Sequence, residues 1–286
     1  MNAWAQQQSI SAYAADAPRV ASLAMYDLGG LQEANDALWA AIARQLEDRG
    51  AVGTPVALAR GGSLEAVWIN PQLLLGQTCG YPLIGALKSH HVRLVATPRY
   101  RAPGCDGPFH RSVIVVRADS AAASLAELRG ARCAVNSPAS NSGMNLLRVE
   151  VAPLARDGVF FGSIAFTGSH EASAERIAAA EADVAAIDCI TWAHLQRLRP
   201  ALTQRLKVLG WSVRSPGLPL ITGRNTTPAT FEALRSALDA VEHDPALRDV
   251  RAELLLDGFN ALPAAQYRAI AHLEQIAAAQ GYPTLA

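Results

Sequence analysis

Strand-like runs alternate with helical ones along almost the whole chain, and this alternation constrains the fold more than any other feature. Strands separated by helices build layered α/β units around a mainly parallel sheet. Arg19 to Met25 reads as a strand, and Gln32 to Asp48 as a helix in which Ala34, Leu38, Ile42 and Leu46 return at helical spacing. Val52 to Arg60 reads as a second strand, Leu64 to Ile69 as a short helix and Leu73 to Leu75 as a short buried strand, with a helix opening near Tyr81. Strands at Arg93 to Thr97 and Arg111 to Arg117 flank a loop, Ala102 to Pro108, that holds two prolines and two glycines. A second cycle runs through a short helix at Ser124 to Leu128, a strand at Arg132 to Val135, a helix at Gly143 to Leu154 and a strand at Ser163 to Phe166. A helix at Glu171 to Ala180, a strand at Val184 to Ile187, a helix at Trp192 to Arg197 and a strand at Leu206 to Leu209 complete it. Three late helices, near Thr230 to Val241, Ala246 to Leu256 and Ala264 to Gln280, return to cover the first lobe.

With 286 residues the chain has room for two such lobes, and 50% hydrophobic against 17% charged residues supplies their cores. Lys+Arg and Asp+Glu both number 25, so no long-range field gathers nucleic acid or an anionic membrane; an anionic ligand has to be held by local geometry. Met1 to Pro18 has neither a cationic start nor an apolar run and does not read as an intact secretory leader. The compartment therefore stays open: periplasmic if a leader was removed, cytoplasmic if the sequence is complete. The four cysteines form no C-x-x-C, so no structural metal is expected; Cys133 and Cys189 read as core, and Cys79 and Cys105, in loop surroundings, as a pair that bridges only in an oxidising compartment.

Ligands in α/β proteins sit beyond the carboxyl ends of strands, where loops meet helix N-termini. Four such junctions carry suitable residues: Tyr26-Asp27-Leu28-Gly29, Gln77-Thr78-Cys79-Gly80-Tyr81, Ser137 to Gly143, and Thr167-Gly168-Ser169-His170-Glu171. Asp188, at the end of an apolar run, makes a fifth. Ser140, Asn141 and Ser142 are good N-cap residues, and with Gly143 they either cap a helix or cradle an anion without Lys or Arg. His170 fits a structural hydrogen bond or a ligand contact, Asp188 a helix cap or a cleft acid, and Tyr26 and Tyr81 packing or ligand stacking. Neither G-x-G-x-x-G nor a Walker A pattern occurs; H-E-x-x-H fails at Ala174; and a G-x-S-x-G elbow on Ser142 would need glycine where Ser140 stands.

The segments Arg111 to Ser120, Ser124 to Gly130, Ser140 to Gly143, Phe166 to His170 and Asp183 to Asp188, in this order and spacing, resemble the phosphate/phosphite/phosphonate family of ABC-transporter substrate-binding proteins. The resemblance implies a two-lobed type 2 periplasmic-binding-protein fold with a ligand cleft between the lobes, one lobe made of residues 1–116 plus 210–286 and the other of 117–209. It implies a non-enzymatic binder of a small oxyanion or phosphonate-like solute that closes by hinge motion and serves an ABC permease, as a monomer and without cofactor or metal. The implied ligand-binding set is Tyr26, Thr78, Tyr81, Ser140, Asn141, Ser142, His170 and Asp188. Where the family usually carries Ser-Thr-Ser, Asn141 stands at the centre here. The alternatives are an enzyme on the same fold, either a serine hydrolase on Ser142 or a relative of pyrimidine-precursor synthases, and a cytoplasmic ligand-responsive sensor.

Overall fold

The computed structural model describes residues 18–286; the N-terminal stretch read above as unlike a leader falls, up to residue 17, outside them. Two five-stranded sheets form the two lobes. The first contains β1 (Val20–Ser22), β2 (Leu73–Gln77), β3 (Arg93–Tyr100), β11 (Leu220–Thr222) and β12 (Leu256–Asn260), in the order β1-β2-β11-β3-β12. The second contains β5 (Ser112–Arg117), β6 (Arg132–Val135), β7 (Ser163–Phe166), β8 (Val184–Asp188) and β9 (Leu206–Trp211), in the order β7-β6-β8-β5-β9. Two short strands, β4 (Phe109–His110) and β10 (Ser215–Pro216), pair antiparallel where the chain crosses between the lobes.

Each lobe follows from its apolar pattern. Helix α1 (Gln32–Glu47) buries Ala34, Leu38, Trp39, Ile42 and Leu46, and packs with α8 (Pro228–His243), which offers Phe231, Leu234, Leu238 and Val241 to the same core. Strand β5, an unbroken apolar run, is buried on both faces. Ile114 and Val116 point into one core with Cys133 and Val135, while Val113 and Val115 point into the other with Ala134 and Ala185. Among the described residues no helix is long and apolar enough to cross a membrane.

Several expectations need correction. The sheets are mixed, not mainly parallel: β1–β2, β6–β7 and β6–β8 run parallel, whereas β11 and β12 in the first sheet, and β5 in the second, pair antiparallel with their neighbours. Val52 to Arg60 is a loop, since Gly53 takes φ 71°, Pro55 cannot donate to a ladder, and Val52 and Val56 face solvent. The helix expected at Ala246 to Leu256 is confined to α9 (Arg248–Glu253), because Leu255 turns the chain at φ 55° into β12. The lobe boundaries also move. Strands β5 and β9 belong to the second sheet, so the crossings lie before Ser112 and after Trp211 rather than at Val116 and Leu209. Finally, α10 (Arg268–Ala279) does not simply cover the first lobe; it lies against both α3 (Gly80–Ile84) and α4 (Leu146–Val151). The segment after it enters the second-lobe core, where Tyr282 is buried and the Ala286 carbonyl accepts from the Phe160 and Phe161 amides at 2.8 and 2.9 Å.

Candidate functional site

A cleft of about 570 Å³ separates the lobes. The first lobe lines it with Ala24 to Leu28, Ser63 to Glu65, Trp68, Cys79 and Pro82; the second lobe with Asn136, Ser137, Ser140, Ser142, Gly168 to Glu171, Asp188 and Thr191. The second-lobe set comes from the carboxyl ends of β6, β7 and β8 and the helix starts that follow them.

At the first of these junctions the Ser140 Oγ accepts from the Gly143 amide at 2.9 Å, and the chain winds through a π turn, Asn141–Asn145, before α4 begins. The Asn141 amide donates to Cys79 Sγ at 3.3 Å. Two amides expected to face a ligand are therefore engaged within the protein, by Cys79 and by Ser140. From this junction Ser137, Ala139, Ser140 and Ser142 line the cleft. Gly143 leaves room here for two neighbours: a Cβ would lie 1.9 Å from Asn136 Oδ1 and 3.1 Å from His170 Cε1, so a larger residue has to push these side chains aside.

His170 opens α5 (His170–Ala178) behind the Ser169 cap, whose Oγ accepts from the Ala172 amide at 3.0 Å. Its Nε2 lies 2.9 Å from Ser142 Oγ. Burial lowers the His170 pKa to about 4, so at neutral pH the ring is uncharged, and its tautomer decides whether Nε2 donates to Ser142 Oγ or accepts from it. Asp188 ends β8 and caps α6 (Cys189–Leu198), taking the Ile190 and Thr191 amides at 2.9 and 3.1 Å. It also accepts from the Tyr26 hydroxyl at 3.1 Å, a bond that joins the lobes across the cleft floor. His110, on the first crossing, places Nδ1 2.8 Å from Asp188 Oδ2, off the line of an ideal ring N–H bond. Burial opposes charge on both partners, but their attraction prevails: Asp188 is held below the usual carboxylate value, and His110 is raised.

The cleft thus brings together Tyr26, Ser140, Ser142, His170 and Asp188. Three expected residues lie elsewhere. Thr78 is fully buried beside the β2 end, its amide tied to the Pro219 carbonyl at 3.0 Å. Tyr81 turns away to donate to Glu274 on α10 at 2.7 Å. Asn141 is buried and donates to Ser215 Oγ on the second crossing at 2.8 Å. Sequence reasoning missed Asn136, Glu65, Trp68 and His110. His110 in particular stands in a short segment between two strands, and only the β4–β10 crossing carries it to Asp188. All four cysteines are free thiols: Cys79 Sγ accepts from the Asn141 amide, and Cys105 Sγ lies 3.6 Å from Cys189 Sγ.

Among solved structures, the fold is shared with a binding-protein component of an ABC phosphonate transporter from Pseudomonas aeruginosa, at 18% identity and a TM-score of 0.74 over 93% of this chain and 88% of that one. It is shared equally with PhnD1 from Prochlorococcus marinus in complex with methylphosphonate, at 16% identity and a TM-score of 0.72 over 90% of this chain and 97% of that one. XAC2383 from Xanthomonas citri bound to ATP is 16% identical, with a TM-score of 0.62 over 87% of this chain and 95% of that one. Residues 31–267, most of the chain, match the family of ABC-transporter phosphonate periplasmic substrate-binding proteins, and the protein belongs to that family.

Proposed function

We propose that the cleft holds a small oxyanion or phosphonate-like solute, its anionic end against Ser140 and Ser142 and its other end directed toward the first-lobe wall. Membership of the family implies a solute ligand and an ABC permease as partner. The observation that carries the reading is the makeup of the cleft wall. Among the described residues it contains no Lys or Arg but four carboxylates, of Asp27, Glu65, Glu171 and Asp188. Asp27 is paired with Arg60 at 2.6 Å, Glu171 with Arg199, and Asp188 with His110. Glu65 alone of the four has no cationic partner among the described residues, and it lines the cleft with Trp68. A bare anion gains little from such a wall. A solute bearing a donor at its far end, whether an amine, a hydroxyl or the proton of a partly protonated oxyanion, satisfies it.

Closure follows from the Tyr26–Asp188 bond, which exists only while the lobes are together, and the two crossings are where rotation takes place. Calorimetric titration with phosphate, phosphite, methylphosphonate and an aminoalkylphosphonate tests the reading. The aminoalkylphosphonate is expected to bind more tightly than methylphosphonate, and Glu65→Gln to narrow that preference; failure of all four to bind would refute it.

One observation favours a second reading: Ser142 Oγ and the uncharged His170 stand in the geometry of a nucleophile and its base. The Gly143 amide, a candidate oxyanion donor, is however already taken by Ser140. We read the pair as a ligand contact without turnover. A fluorophosphonate probe is expected to leave native Ser142 unlabelled, and stoichiometric labelling would establish the hydrolase instead.

A further inference from the structure

Cys105 and Cys189 are 84 positions apart, yet their Sγ atoms lie 3.6 Å from each other. Neither thiol takes part in the proposed ligand contacts. Cys105 belongs to the loop between β3 and the first crossing, and that loop is fastened to the first lobe: the Arg101 amide donates to the Leu255 carbonyl at 2.8 Å, and its guanidinium pairs with Asp257. Cys189 is the first residue of α6 in the second lobe, directly after Asp188 of the cleft wall. The two sulfurs therefore meet across the junction of the lobes, in an apolar cluster with Tyr26, Ala102, Ile190 and Leu218. Gly104 brings the loop this close. It takes φ 93°, and a Cβ there would lie 2.3 Å from the Trp211 ring and 3.2 Å from Cys189 Cβ.

We propose that Cys105 and Cys189 are a redox pair that closes to a reversible disulfide, tying the two lobes together beside the ligand cleft. The other two cysteines are placed differently. Cys79 accepts the Asn141 amide, and Cys133 is buried in the second-lobe core. Cys105 is the part-exposed member, so an oxidant of the disulfide class reaches it first. Its thiolate attacks one sulfur of that oxidant, forming a mixed disulfide and expelling one thiolate, which takes up a proton. Cys189 then loses its proton to solvent and attacks Cys105 Sγ, expelling the second thiolate. In sum the protein gives up two protons and two electrons, and the oxidant is reduced to two thiols. The contact with Cys105, burial and the neighbouring Asp188 all keep the Cys189 thiol protonated, which makes the second attack the slow step.

The inference does not depend on what the cleft binds. The experiment incubates the full chain with oxidised glutathione, then counts thiols under denaturing conditions and maps non-reduced peptides. Of the four free cysteines two are expected to remain titratable, with a single cross-linked peptide joining Cys105 to Cys189, reversed by a dithiol reductant. Because the link closes a long loop, the oxidised chain should melt several degrees above the reduced one, and Cys105→Ser should show no such rise. Cys189→Ala should stop the reaction at a mixed disulfide on Cys105. Persistence of all four thiols while iodoacetamide labels Cys105 in the native protein would overturn the proposal. So would a cross-link through Cys79 or Cys133, or a mixed disulfide in the wild-type chain that never resolves.

Discussion

Asp188→Asn isolates the charge at the centre of the cleft floor. Asparagine keeps the size of the side chain and an acceptor oxygen, so the Ile190 and Thr191 amides and the Tyr26 hydroxyl retain a partner. What disappears is the compensation for His110, whose Nδ1 stands 2.8 Å from the carboxylate. The sign follows from the two shifts. His110 is raised above 6.5 in the fold, so its stabilising share is complete below that value and is lost as pH rises through the raised one. Asp188 is lowered below 3.8, so its share is complete above that value and is lost as pH falls through the lowered one. The pair therefore works hardest between about pH 4 and 6.5. In the variant burial is the largest influence left on His110, and stability declines as pH drops below 6.5. Above the raised His110 value the histidine is neutral in both proteins and the cost is about 1–2 kcal/mol, the difference between a charged and a neutral acceptor. Near pH 5 it approaches about 3–5 kcal/mol, as for a buried pair deprived of one member. Urea unfolding of both proteins, followed by tryptophan fluorescence at the two pH values, measures the gap. A gap that stays constant or narrows toward acid would refute the assignment of the pair.

Ser142→Ala should weaken binding of whichever phosphonate binds the wild type by about 1–3 kcal/mol in a calorimetric titration, the cost of an unpaired polar partner in a dry site. Gly143→Ala should displace Asn136 and His170 and lower that affinity further, with circular dichroism unchanged. Tyr81→Phe should leave affinity untouched and cost about 1 kcal/mol in urea unfolding, because its hydroxyl holds Glu274 and not the cleft. His170 and His194 are both held at about 4, chiefly by burial, so each should remove up to about 3 kcal/mol of stability as pH falls from 6.5 to 4. An acid titration of His194→Gln, followed by circular dichroism, should show a shallower loss than the wild type.

Periodicity located the elements that bury a continuous apolar face, such as the helix carrying Leu38, Ile42 and Leu46 and the strand Val113 to Val116, since burial itself writes that pattern. It failed where the chain is held by single anchors. The 51–63 segment is held beside β1 and α1 by scattered single bonds, among them the Ala59 amide on the Ala21 carbonyl, the Ser22 hydroxyl on the Ala59 carbonyl and the Trp39 ring on the Pro55 carbonyl, and none of them leaves a repeat in the sequence. Strand β12, with Asp257 and Gly258 inside it, has no alternation to read. In the cleft, Ser140, Ser142, His170 and Asp188 were legible because each is a polar residue at a junction where a strand gives way to a helix. Thr78, Tyr81 and Asn141 occupy equivalent positions in the sequence but are held elsewhere, the Thr78 amide by the Pro219 carbonyl and the Tyr81 and Asn141 side chains by Glu274 and Ser215, partners far away along the chain. The same remoteness hid His110.

The segment Tyr282 to Ala286 bears on how this protein is made. The core between α4 and the second sheet lacks a wall until Tyr282 arrives, and the Phe160 and Phe161 amides wait for the Ala286 carbonyl. The nascent second lobe, although its sheet is complete at Trp211, cannot seal during synthesis until some seventy further residues have followed. Closing contacts so distant in sequence are slow to form, and until then the ring of Phe160 stays open to chaperones and to neighbouring chains. Shortening the chain by these few residues should therefore reduce the yield of native protein far more than it loosens the protein once folded.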